Sequence, residues 1–399
     1  MTAPALDFSI SSELRIDLGR WRQVAAAVGV LGLILLAIGW ITSPAQFYRS
    51  YLWAYVYVLG IAVGCLAWLM VQYCTGGAWG VAVRRTAEAA ARTLPLLAVL
   101  FIPIAIGHSS LYPWANAAMV KAAPILQHKQ PFLNLPFWLV RAAVILGGWI
   151  FLGWYLNRWS RVEDREGPRQ AHRKMSRISG PGLIFWAFAT TFMSIDWVMS
   201  LNPGWFSTMF GLLFMAGQGL SGMSFLIIVL VFLSYRRPLS DVLTPRHLHD
   251  IGKLMFANVI FFAYLAFSQF LIIWAGNLPD EIPWYLERLR GGWQYLGLAL
   301  VFGHFALPFS LLLSRELKRR LKPLVSIAIF VLVMRMVDVY WMVIPDATRG
   351  GALSPSWIDL AAVAGLGGIW LTWFLTQLEQ RPLIPVNDPN IVEALEHGR

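Results

Sequence analysis

MFGLLFMAGQGLSGMSFLIIVLVFL, residues Met209–Leu233, runs for 25 residues without one charged side chain. As a helix it would rise about 37 Å, more than the roughly 30 Å hydrocarbon core of a bilayer. A water-soluble helix of that length carries charge on its outer face. This segment carries none, so its solvent is lipid, where a helix satisfies its own backbone N–H and C=O groups.

The same reading repeats outward in both directions. Apolar runs at 24–41, 52–71, 94–106, 137–156 and 183–201 precede it, and runs at 254–274, 293–313, 324–344 and 357–375 follow. The expected fold is an all-α polytopic membrane protein of about ten transmembrane helices. The third run is short and holds Pro95 and Pro103. Its helix is expected to start near Ala87 and to kink where neighbours can satisfy the freed carbonyls.

Composition points the same way: 58% of the 399 residues are hydrophobic and 13% charged, with a mean hydropathy of +0.59. A net charge of +11 would suit nucleic acid in a soluble protein, but the basic residues sit between apolar runs, with no basic stripe interleaved with aromatics. No nucleic-acid partner is expected. With only Cys65 and Cys74, the chain cannot alone ligate an iron–sulfur cluster or attach a c-type haem. The first apolar run is too long for a signal core and lacks a small-x-small cleavage site, so it is expected to stay as a helix. Outside the spans, 24 Lys and Arg fall on the side of the chain ends and 6 on the opposite side. Both termini are therefore expected in the cytoplasm. The densest basic run lies between the fourth and fifth crossings, from Arg158 to Arg177, and suits anionic lipid headgroups or a partner protein.

The chain also repeats. Asp196 precedes Pro203 by seven residues near the end of the fifth crossing, and Asp338 precedes Pro345 by seven near the end of the ninth. Pro136 and Arg141 open the fourth crossing as Pro283 and Arg288 open the eighth, five apart in each case. Four helices separate the copies, so they share one orientation and imply two tandem four-helix bundles. The expected division is 1–50 with the first crossing, 51–203 as the first bundle (spans 2–5), 204–345 as the second (spans 6–9), and 346–399 with the tenth crossing and a cytoplasmic tail.

Charges inside the membrane each cost about 2.5 to 3.5 kcal/mol, so Arg141, Asp196, Arg335 and Asp338 must face protein or water. Arg141 and Asp196 fall at similar depth on consecutive helices and are candidate partners. His304, Arg335 and Asp338 converge at mid-depth in the second half, where they could relay protons, fix helix register or, for His304, ligate a metal or haem. His108 is too shallow to pair with His304 around a haem. Gln218, Asn258, Ser268 and Gln269 read as polar glue between helices. Trp53, Trp138, Trp197, Trp274, Trp284 and Trp293, near span ends, read as an interfacial belt.

The stretch SIDWVMSLNPGWFST, residues 194–208, with Phe267-Ser268-Gln269 and Asn277-Leu278-Pro279, resembles the F subunit of alternative complex III, an NrfD-like (polysulfide-reductase-type) membrane subunit. The likeness extends over nearly the whole chain. It implies a bacterial inner-membrane quinol:electron-acceptor oxidoreductase that oxidises menaquinol and passes electrons to a cytochrome c or an oxidase. It also implies partners: an NrfD-like paralogue, an iron–sulfur protein and multihaem cytochrome c subunits, which hold the haem c and iron–sulfur clusters. In that family the better-supported quinol site lies in the paralogue beside the iron–sulfur protein, whereas this subunit is named as quinone-binding (quinone or menaquinone), holds no redox cofactor of its own, and would anchor the complex and carry protons. No quinone ligand transfers residue by residue; Asp196 does, and Asp338 follows through the repeat. A stand-alone ion-coupled transporter and a purely structural anchor are the alternative readings.

Overall fold

The computed structural model describes residues 8–396. Ten helices in it are long and apolar enough to cross a membrane: Ser12–Thr42, Pro44–Thr75, Ala78–Ile106, Leu135–Glu166, Gln170–Leu201, Met209–Leu233, Pro245–Gly276, Trp293–Leu313, Leu321–Ala347 and Trp357–Leu378, here spans 1 to 10. No strand occurs among the described residues. The protein is a multi-pass helical membrane protein, as its hydropathy requires. Arg22 of span 1 pairs with Glu379 just past span 10 at 2.6 Å, and Arg236 after span 6 pairs with Asp17 at 3.0 Å. These contacts lie at the end carrying both chain ends, called here the basic end; the opposite one is the far end.

Spans 2 and 6 form the central contact. A Cβ on Gly64 would collide with the Gln218 carbonyl, and one on Gly222 would lie 2.5 Å from the Gly64 carbonyl carbon, so only glycine permits this backbone approach. Around span 2 pack spans 3 and 5, with span 4 closing against both; around span 6 pack spans 7 and 9, closed by span 8. The two groups of four are thus physically adjacent bundles. Spans 1 and 10 pack on each other, with Gly32 facing Gly365, and span 10 rests on span 2.

Three sequence expectations need correction. Span 3 begins at Ala78, not Ala87, because Arg84 and Arg85 pair with Glu88 at 2.9 and 2.8 Å and so can enter the bundle. Its kinks behave as expected: helical segments break around Pro95 and Pro103, and the Tyr55 and Tyr51 hydroxyls of span 2 donate to the Leu97 and Leu100 carbonyls at 3.0 and 2.8 Å. The tryptophan belt is mostly internal. Of these six, Trp53, Trp138, Trp197, Trp284 and Trp293 are buried and Trp274 is exposed, because four of the indole N–H groups donate to oxygens within the protein: Trp53, Trp138 and Trp293 to the carbonyls of Met336, Asp196 and Gly351, and Trp284 to the Asp346 carboxylate. Asn258 is the third, bonding back to Leu254 of its own helix at 3.0 Å rather than bridging two helices.

Candidate functional site

Span 8 does not cross as a regular helix. It runs as α-helix through Trp293–Ala299, widens to a π-helix over Leu300–Ala306 and returns to α over Leu307–Leu313. Pro308 explains the change, since it lacks the N–H that would close an α-turn onto the His304 carbonyl. His304 points inward, 3% exposed, while its neighbours Val301 and Phe302 face outward at 57% and 64%. Its ring sits 4.7 Å from that of Phe262 on span 7. The His304 Nε2 has no hydrogen-bond partner, which for a buried polar atom is costly and marks a functional candidate.

Arg335 and Asp338, three residues apart on span 9, share a face and pair directly. The Arg335 guanidinium carbon lies 5.0 Å from the same Phe262 ring, so His304, Arg335 and Asp338 gather around one aromatic side chain. Gly217 of span 6 leaves the space that the guanidinium occupies.

His304 and Asp338 line one wall of a cavity of about 910 Å³ within the second bundle. Its other polar groups are Gln269, Tyr285, Arg288 and Gln294, and the remaining lining is aliphatic and aromatic. Tyr264 and Phe267 of span 7 and Leu298 and Val301 of span 8 belong to that lining and are strongly exposed, so the cavity opens sideways between these two spans. A volume near the top of the usual ligand range, apolar walls and a few convergent polar groups suit an amphiphile that arrives from lipid. The Gln269 amide donates to the Tyr285 hydroxyl at 3.4 Å, which leaves the phenolic proton free. Burial pushes that phenol up to about 12, so it acts as a donor at neutral pH.

The far end of the cavity is braced by Arg288, which pairs with Asp346 at 2.8 Å and donates to the carbonyls of Trp284, Trp341 and Met342. The first bundle holds the equivalent brace: Arg141 grips Asp196 through two bonds of 2.6 and 2.9 Å, as their depth in the sequence suggests. The repeat therefore equates Asp196 with Asp346 in space, not with Asp338. Aligning the prolines misled the register because span 9 continues through Pro345 to Ala347, whereas the helix of span 5 ends at Trp197, before Pro203. Asp338 lies about 12 Å deeper than Asp346. Arg141 and Asp196 are thus in a different bundle from His304, Arg335 and Asp338. His108 is likewise in the first half, with Nδ1 2.9 Å from the Ala105 carbonyl.

The chain matches no protein-family profile and no curated protein. Among the described residues, no three His, Cys, Asp or Glu side chains are placed to hold a metal ion.

A second charged centre escaped the sequence reading. At the basic end of the first bundle Arg84 pairs with Glu88, Glu163 and Asp388, Arg85 with Glu88 and Asp164, and Arg381 with Glu88. Asp388 and Arg381 come from the segment after span 10, held down by buried Leu383 and Ile384. The available signal was the spacing of Arg84, Arg85 and Glu88, one helical turn apart, which a hydropathy window treats as the end of a span.

Proposed function

We propose that this protein is an NrfD-like membrane subunit of a quinol oxidoreductase of the alternative complex III type, and that its second bundle is where a quinone headgroup and protons are handled. One observation carries the reading: a buried His304 Nε2 without a partner faces a cavity open to lipid, beside the Arg335–Asp338 pair. The resemblance across residues 194–208 supplies the complex. Bound there, a quinol would supply two electrons and two protons. His304 can hydrogen-bond a ring oxygen and take up a proton. Asp338, paired with Arg335 and lining the same cavity, is a second group that can accept the proton. Tyr285 can donate to a second ring oxygen, and the aromatic walls orient a flat ring and exclude water. The haem and iron–sulfur carriers would reside in partner subunits.

Purification from native membranes in mild detergent tests the assembly. The chain should co-purify with haem-containing and iron–sulfur proteins and with quinol-oxidising activity. A second reading, a carrier acting alone, draws on the two same-way bundles and the internal cavity. Uptake of an ion or solute by the chain reconstituted alone, with no co-purifying redox protein, would replace the first reading by the second.

A further inference from the structure

The outward face of span 4 changes character abruptly. Val140, Val144, Gly147, Phe151 and Trp154 follow one another at three- and four-residue intervals and are exposed, and Arg158, Arg161 and Arg165 continue the same stripe toward the basic end. The helix Leu135–Glu166 has 32 residues, so it extends about 48 Å, against a hydrocarbon core of about 30 Å. Counted from Leu135, the core ends between Trp154 and Arg158. The change from apolar to basic therefore coincides with the boundary of the hydrocarbon. Arg158 to Arg165 then covers about 10 Å of axial rise, enough to cross the headgroup layer of roughly 5 to 7 Å.

The three arginines, with Val162 and Glu166, surround a recess of about 230 Å³. Among the described residues none of the three forms an ion pair, although Arg84 and Arg85 nearby in the fold are saturated with carboxylates. Glu166 is exposed at the outer rim, leaving the recess with a net excess of positive charge. The Arg158 guanidinium carbon stands 5.4 Å from the ring of Trp154, which turns it back along the apolar stripe. On the neighbouring helix, Lys174 lies 3.7 Å from the Trp159 ring and adds charge at the same level. Below, a Cβ on Gly147 would meet nothing within 4 Å, so the stripe has a shallow dent between Val144 and Phe151.

We infer that this face holds an anionic phospholipid: its phosphate lies among Arg158, Arg161 and Arg165, its glycerol region beside Trp154, and an acyl chain along the Gly147 dent. Guanidinium groups bind phosphate through paired N–H donors, and three spaced along one helix face can grip one phosphate or a diphosphate headgroup. A soluble phosphate would use only the basic half; the continuous apolar half selects a lipid.

The test uses the full chain in detergent, wild type and the triple variant Arg158→Gln, Arg161→Gln, Arg165→Gln, titrated with phosphatidylglycerol, phosphatidylcholine or inorganic phosphate and read by native mass spectrometry. These residues are exposed, so folding should survive, and unchanged circular dichroism establishes that it has. A control variant replaces Arg173 and Arg177, exposed on the adjacent helix, by Gln. Wild type and control should retain phosphatidylglycerol over phosphatidylcholine, while the triple variant should lose affinity on the order of 100-fold, roughly fivefold per arginine. Equal retention of both lipids by wild type, undiminished binding by the triple variant, or equal competition by inorganic phosphate would overturn the inference. Loss of a co-purifying protein with lipid binding intact would overturn it too, and would assign the face to that protein.

Discussion

The two bundles share a brace at the far end and differ in what lies beneath it. Under Arg141–Asp196 the first bundle is filled: Phe101 sits 5.3 Å from Trp138 and 4.7 Å from Trp197, and Trp114 packs on Trp138 at 6.0 Å. Under Arg288–Asp346 the second bundle holds a cavity of about 910 Å³. The difference traces to the third member of each repeat. Span 4 enters as one continuous helix from Leu135, whereas its counterpart breaks after Arg288, turns at Gly291 and Gly292 with φ of 65° and 96°, and then widens into a π-helix. A duplicated scaffold can thus keep its ion-pair brace in both copies while packing aromatic rings beneath one and holding a large cavity beneath the other. The first copy is also closed at the basic end, where the segment after span 10 completes the network around Arg84.

Breaking that closure should have the largest effect. Arg84→Ala would leave Glu163 and Asp388 buried without their guanidinium, a loss of roughly 3 to 5 kcal/mol, read as thermal unfolding in detergent or as failure to accumulate. The braces should separate the bundles next. Asp196→Asn strips Arg141 of both charged bonds, leaving the Phe132 carbonyl as its hydrogen-bond acceptor, and should cost about 3 kcal/mol. Asp346→Asn should cost about half as much, because Arg288 keeps three carbonyl acceptors. Equal losses would mean that the braces are equivalent.

Filling the hollow bundle should barely affect stability. Gly297 lines the cavity, and a Cβ there would find only Trp341 Nε1, at 3.8 Å. Gly297→Leu should change stability by less than about 1 kcal/mol while reducing quinol turnover of the assembly, since it occupies ligand space without displacing core. The smallest effect concerns pH. Burial, then Asp346, pushes the Glu287 carboxyl up, so its protonated form favours the folded state. That contribution is fully present below the unfolded carboxyl range and is lost as pH rises through the folded one. Glu287→Gln should therefore stabilise by a few tenths of a kcal/mol at pH 7 and by nothing near pH 4, after discounting for its partial exposure.

The ten crossings were legible because uninterrupted apolar length is a local property, and the Arg141–Asp196 pair was legible because depth along a helix follows from counting residues. The far-end counterpart was not. Pattern matching placed Asp338 opposite Asp196, and only the continuation of span 9 through Pro345 brings Asp346 to Arg288. His304, Arg335 and Asp338 were read as convergent, yet Gln269, which shares the cavity of His304 and Asp338, passed for helix glue, and Tyr285 was not singled out. Their role depends on how span 8 is displaced, and the π-helix that displaces it has only Pro308 as a local signal. The network around Arg84 was hidden for another reason: its four carboxylates come from three separate segments, and charge within a helix ends a hydropathy span unless the distant partner is known.

Quinol-driven turnover and proton release of the purified assembly carrying His304→Gln test the assignment of the second bundle most directly. The glutamine is close in size and should leave unfolding within about 1 kcal/mol of wild type. Loss of the proton acceptor should lower turnover on the order of 100-fold. A stably assembled variant with wild-type turnover and proton release would contradict it.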